Sequence, residues 1–290
     1  MVQYNPRTWF SLIFHSYSRQ VVKTLFPGLF AMGAYTAVIT FLMEDFFDVS
    51  FNSTTVVHSL LGVVLGLFLV FRINSAYDRW WEGRKLWGSL LNNSRNLATK
   101  INAFLPANAH NERAYFAQLI PNFAYALKDH LREGANAVDL DLSDLDVLER
   151  LKGKEHIPNA LLSMMYDSVT KLTEKGSFNR EQFFLLDKEL KEFSDILGGC
   201  ERIRNTPIPY SYSMFIKKFI FTFTITLPFA FITEFHYFTI PIVLMVFFIL
   251  VSVELVAEEI EDPFGNDVND LPTTELSKKI KNNVRELLIQ

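Results

Sequence analysis

Cysteine is nearly absent from this chain: Cys200 stands alone among 290 residues. One thiol excludes an internal disulfide and says little about redox compartment. Basic residues are missing from two long blocks, with no Lys or Arg between residues 24 and 71 or between 219 and 277. Catalytic patterns are missing as well. The six His residues (His15, His58, His110, His130, His156 and His236) contain no HExxH or other metal-spaced pair, and a lone His is more often structural or exposed than a ligand. There is no phosphate-cradling Gly loop and no nucleophile elbow. Cys200 has no His nearby in sequence and reads as a buried structural thiol. No enzyme is expected. The net charge of −4 gives no basis for nucleic-acid binding. The first residues, MVQYNPRTWF, lack a basic region followed by a short apolar core, so no secretory signal peptide is expected. No stretch alternates like a strand, and no repeat or low-complexity tract stands out.

What is present is segregated. Hydrophobic residues reach 49%, with 28 Phe, while charged residues make up 21%. The base-free blocks are apolar, and the middle is charged with helical patterning. A span of about 20 residues crosses a ~30 Å hydrocarbon core, and four such spans are predicted at about 25–43, 56–71, 214–233 and 238–256. Gly28, Ala31 and Gly33 in the first are small enough to admit a neighbouring helix. The most informative stretch is 56–88. Its first half is apolar; its second turns abruptly polar and aromatic through Arg79-Trp80-Trp81 and Arg84-Lys85. One helix is expected to leave the membrane there and continue into a soluble body.

Helical spacing then persists through Leu86, Leu90, Leu97, Ile101 and Phe104. Further stripes run through Tyr115, Leu119, Phe123, Leu127 and Leu131, then Leu161, Met165, Val169 and Leu172, then Phe183, Leu186, Leu190 and Phe193. Ser143 with Asp146 resembles a capped start, Asn179 is a second candidate cap, and Gly198-Gly199 is expected to end the helix that Asn179 begins. Pro207 and Pro209 mark a joint before the third span. Residues 6–20 suit either an amphipathic surface helix or a helix packed on the soluble body.

The links between spans one and two and between three and four carry no Lys or Arg. The positive-inside rule therefore puts the N-terminus, the middle and the tail in the cytoplasm. The expected organisation is an amphipathic segment over 1–23, transmembrane helices 1 and 2 within 24–81, and a helical cytosolic region over 82–210. Transmembrane helices 3 and 4 then fall within 211–257, and a cytosolic tail covers 258–290.

In the second span, Val63, Leu67 and Phe71 recur at i, i+4 and i+8 on one helix face, beside the pair Gly62 and Gly66. Spacing alone fits a lipid-facing stripe with a packing notch. It also fits a hydrophobic constriction, because apolar rings around an axis gate ions by dewetting. Glu254, Glu258, Glu259 and Glu261 cluster near the end of the fourth span, where pairing with Arg72, Arg79 or Arg84 is expected. Trp80 and Trp81 suit a water–lipid boundary.

The runs FRINSAYDRWWEGRKLWG, LGGCERIRNTPIP and EDPFGNDVNDLP together resemble the bestrophin family, particularly its bacterial members, over nearly the whole chain. The resemblance implies an all-α membrane protein assembled as a homopentameric ion channel, with an axial pore, a membrane neck and a cytosolic vestibule. It implies a bacterial inner membrane, a lipid bilayer around the spans and small monovalent ions as the permeant species. The neck falls on Val63, Leu67 and Phe71, the upper two smaller than the aromatics of many animal members. A second, cytosolic aperture aligns with Glu181, commonly apolar in the family. Five carboxylates there would attract cations, although an acid near a helix N-terminus also simply suits the dipole. Asp267 and Asp270 match part of the acidic cluster that helps animal members hold Ca²⁺, but Val268 and Asn269 interrupt it. Ca²⁺ takes six to eight oxygens, so no tightly bound Ca²⁺ and no other cofactor is expected, with Asp267 and Asp270 its only candidate ligands. Glu181 and the net negative charge point to cations. An anion channel of the same architecture is the nearest alternative, and a non-conducting membrane scaffold for a cytosolic partner is the rival from another class.

Overall fold

The computed structural model describes residues 16–46, 55–132, 140 and 145–289. Every regular element among them is helical. Helix α1 (Ser16–Phe41) runs into a π turn (Leu42–Phe46). It is followed by α2 (Thr55–Phe104), α3 (His110–Arg132), α4 (Leu145–Leu151), α5 (Ile157–Glu174) and α6 (Arg180–Asn205). Helix α7 (Tyr210–Phe235) leads through a 3₁₀ turn (His236–Phe238) into α8 (Thr239–Glu261), and α9 (Thr273–Leu288) closes the order. Helix α2 is 50 residues long, about 75 Å at 1.5 Å per residue. No proline interrupts it, and it stops just before Pro106, where the residue preceding a proline is pushed out of helix. One helix thus carries both the apolar run and the charged, aromatic run that follows it.

The chain divides into two compact units. The apolar unit takes in the described residues up to Arg79 together with Pro207–Glu261. The helical stretches Val21–Phe46, Thr55–Phe104 and Tyr210–Glu261 are long and apolar enough to cross a membrane, and the last is folded as α7 and α8. A small core of Met32, Leu65, Leu69, Ile216, Ile220, Phe223, Leu227 and Val243 joins α1, α2, α7 and α8. Gly28 and Gly33 sit against α8: a Cβ would lie 3.3 Å from Phe247 at the first and 3.5 Å from Leu244 at the second. Ala31, by contrast, is exposed. Two buried hydroxyls bond back to their own helix, Thr36 to the Met32 carbonyl and Thr224 to that of Ile220, both at 2.8 Å, which satisfies them without a partner from another helix. Near the turn between α7 and α8, His236 Nδ1 lies 2.8 Å from a Glu44 carboxylate oxygen.

The charged unit comprises Trp80–Thr206 and the described residues from Asp262 onward. Helix α3 packs on α5 and α9, and α5 packs on α6. The predicted stripes face inward: Leu119, Phe123 and Leu127 on α3, Leu161, Met165 and Val169 on α5, and Leu186, Leu190 and Phe193 on α6 are all fully buried. Phe123 and Phe193 meet edge to face at 4.9 Å. Asn179 caps α6 in a reciprocal box with Gln182.

Gly198 and Gly199 do not end α6, which continues to Asn205. Gly199 is instead a point of close approach to α2, where a Cβ would lie 2.9 Å from Leu86 Cδ2. The glycine is there for packing, not for a left-handed cap. The predicted start at Ser143 and the segment 6–15 lie outside the described residues.

Candidate pore and its anchors

The second span presents the predicted stripe on one side of α2. Val63, Leu67 and Phe71 are 64%, 56% and 61% exposed, whereas Leu65 and Leu69 are buried against α7 and the rest of the unit. A fully helical run puts i, i+4 and i+8 on one face, so these three side chains are free of the core of their own chain. The two glycines beside them differ. A Cβ at Gly62 would meet Phe223 at 3.4 Å, whereas one at Gly66 would meet nothing within 4 Å. Gly62 therefore packs on α7, and Gly66 opens onto space outside the chain.

The stripe does not stop at Phe71. Asn74 and Asp78, three and seven positions on, are exposed on the same face. The surface of α2 thus changes from apolar to polar one turn after the three candidate neck residues. A search guided by apolar spacing passes over Asn74 and Asp78 for that reason.

Arg72, next to Phe71, points the other way and is 1% exposed. Its Nε lies 3.4 Å from Glu254 Oε1 and its Nη2 lies 2.7 Å from Glu261 Oε2. Glu261 also accepts the Ile208 N–H on Oε1 at 2.8 Å, and its carbonyl accepts Arg79 Nε at 3.0 Å. Lys217 pairs with Glu258. Of the pairings expected for the acidic end of the fourth span, the fold selects Arg72 with Glu254 and Glu261, and Arg79 with a backbone carbonyl. Glu261 emerges as the hub that fastens α2 and the start of α7 to the end of α8. Nothing in the spacing of four nearby glutamates distinguishes it.

In the charged unit, Glu181 is exposed in the first turn of α6, inside the Asn179–Gln182 capping box. An acid there complements the free N–H groups of the helix start. Phe184 and Leu185, one turn on, are 57% and 47% exposed. They are the apolar residues of α6 that its buried stripe leaves outside, and the sequence pattern alone did not single them out.

The tail loop is held tightly. Trp80 gives its indole N–H to the Asn269 carbonyl at 2.9 Å, Arg132 Nε donates to the Phe264 carbonyl at 3.0 Å, and Leu271 N–H donates to the Pro263 carbonyl at 2.9 Å. Asp270 is buried, and its Oδ2 accepts the Asp267 N–H at 2.6 Å. Gly265 makes room for that carboxylate, since a Cβ would lie 2.7 Å from Asp270 Oδ2. Asp267 itself is exposed. One carboxylate thus closes a turn and the other faces outward, two of the six to eight oxygens that Ca²⁺ takes. Cys200 is fully buried, and burial, with Glu201 and Glu82 nearby, pushes its thiol up to about 12. Such a thiol is not a nucleophile at neutral pH.

The family described as Bacterial/Fungal Bestrophin protein matches residues 1–286. The chain belongs to the bestrophin family. A Ralstonia nicotianae protein named a voltage-dependent anion channel-forming protein is 32% identical over 283 residues, covering 97% of this chain and 92% of the relative. An Escherichia coli protein with the same descriptive name is 33% identical over 248 residues, covering 85% and 81%. The crystal structure of a bacterial bestrophin homolog from Klebsiella pneumoniae, a single-substitution variant, superposes with a TM-score of 0.84 at 28% identity, covering 90% of this chain and 98% of that one. This bestrophin is an all-helical membrane protein, as its base-free apolar blocks require.

Proposed function

We propose that this bestrophin forms a passive channel for small monovalent ions, anions in preference to cations, as a homopentamer in a bacterial inner membrane. In this reading α1, the first half of α2, α7 and α8 are four spans, and both termini and the charged unit lie on the cytoplasmic side, where the basic residues concentrate. The observation that carries it is the outward stripe of Val63, Leu67 and Phe71, continued by Asn74 and Asp78. A pore that narrows in the membrane and widens into water suits that apolar-to-polar change along one line. Around an axis the three apolar side chains make successive rings that resist wetting.

On selectivity, the names of the relatives weigh against the cation preference expected from Glu181 and the net charge. The capping box supplies a physical reason to set Glu181 aside, because a first-turn acid is accounted for by the helix dipole. A cation-selective channel is the second reading. It is favoured by the exposed carboxylates of Asp78 and Glu181.

The test is the reversal potential of purified protein in a planar bilayer under a KCl gradient, for wild type, Glu181→Gln and the single substitutions Val63→Ala, Leu67→Ala and Phe71→Ala. Reversal near the chloride potential is expected, with altered conductance or open probability in the neck variants. Reversal near the potassium potential, weakened in Glu181→Gln, would establish the cation reading. Unchanged currents in all three neck variants would refute the neck. No current from folded, inserted protein would favour the scaffold.

A further inference from the structure

Three helical segments of the charged unit bring two imidazoles and a carboxylate to one point. His130 comes from the last turn of α3, His156 caps the start of α5, and Glu201 lies on α6. Both Nε2 atoms lie 2.8 Å from the same oxygen, Glu201 Oε1. The rings are 4.4 Å apart and tilted by 34°. Among the described residues this is the only group of three or more His, Cys, Asp or Glu side chains whose ligand atoms all lie within 4.8 Å of one another. The three residues are separated by 26 and 45 positions in the chain, so no local motif announces them.

We propose that His130, His156 and Glu201 bind a first-row divalent cation, Zn²⁺ foremost, with a fourth position left to water. Two nitrogens and one carboxylate oxygen are a ligand set that Zn²⁺ accepts, with bonds of about 2.0–2.2 Å. Tetrahedral coordination at those lengths separates ligand atoms by about 3.3 Å, so each 2.8 Å contact has to open by about half an ångström. The side chains have that freedom, being 21%, 34% and 28% exposed. The backbone beneath them is firmer. Arg204 donates to the carbonyls of His130 and Arg132, fixing the end of α3 against α6.

The proton balance is explicit. With both imidazoles neutral, the tautomer that pairs with Glu201 carries its proton on Nε2. A metal on Nε2 moves that proton to Nδ1, and no proton need leave. At His156 the move removes the acceptor for the Asn159 N–H, a 3.3 Å capping bond. That contact is long, and its loss is small against two nitrogen–metal bonds and one oxygen–metal bond.

Purified full-length channel, stripped with EDTA and dialysed, is titrated with Zn²⁺ against a fluorescent Zn²⁺ indicator. Wild type is expected to bind about one Zn²⁺ per chain, and Co²⁺ at the same site to show the visible absorption of a tetrahedral complex. His130→Gln and His156→Asn are each expected to weaken binding at least 100-fold. Asn is itself a preferred N-cap residue, so His156→Asn keeps α5 capped while removing the ligand, and its melting temperature in EDTA should match wild type. Undiminished binding in both variants, or no binding by folded wild type, overturns the proposal. The readout does not depend on current, so it stands or falls separately from the channel.

Discussion

Replacing Arg72 by methionine tests the anchor behind the proposed neck. Arg72 is 1% exposed and faces two carboxylates whose side chains are 5% and 15% exposed. Methionine keeps the apolar stem and removes the charge, leaving buried Glu254 and half-buried Glu261 without the guanidinium that neutralises them. Breaking a buried pair from one side costs about 3–5 kcal/mol. At about 2–4 °C per kcal/mol for a chain of this size, the melting temperature should fall by about 6–20 °C. Glu254→Gln should cost less, about 1–2 kcal/mol, because it loses the 3.4 Å contact while the 2.7 Å contact to Glu261 survives. The triad itself is incompletely compensated: among the described residues Arg72 Nη1 and Glu254 Oε2 are buried without a hydrogen-bond partner. The triple variant Arg72→Met, Glu254→Gln, Glu261→Gln should therefore recover most of the loss, to within about 1 kcal/mol of wild type. Fluorescence-detected size-exclusion chromatography after stepped heating, in one detergent, compares all of them. An Arg72→Met variant that melts within about 2 °C of wild type would refute the argument. So would a triple variant no more stable than Arg72→Met.

Two further outcomes are expected. Gly199→Val places a branched side chain where even a Cβ is 2.9 Å from Leu86. It should destabilise the protein by about 1–3 kcal/mol in the same melting assay, whereas Gly198→Ala, with nothing within 4 Å of its Cβ, should be tolerated. The Cys200 thiol, buried and pushed up to about 12, should stay unmodified by a thiol-reactive dye at pH 8 in the folded channel and react on denaturation; rapid labelling of folded protein would contradict its burial.

Much of the fold was legible because its signals are local. A membrane span needs only a run of apolar residues without charge, and a buried helix face needs only the 3.6-residue period, so the apolar blocks, the stripes through Phe123, Met165 and Leu190, and the Asn179 cap all stood in the pattern. Gly199 shows where local rules mislead. The same glycine suits a helix end or a helix crossing, and only the position of Leu86 decides between them. The stripe of Val63, Leu67 and Phe71 was legible as a stripe, but its exposure and its polar continuation through Asn74 and Asp78 required the packed chain.

The amino-acid sequence by itself determined the family, the helical class and the placement of apolar and charged segments, because hydropathy and helical period depend on neighbours in the chain. Only the tertiary structure decided that Glu261, among four glutamates, takes Arg72 and the Ile208 N–H, and that Asp270 closes a turn against Gly265. It alone brought His130, His156 and Glu201 to a single oxygen. Those assignments depend on which helices touch and at what height, and charge and hydrogen bonding act over a few ångströms in space, however far apart the residues stand in the chain.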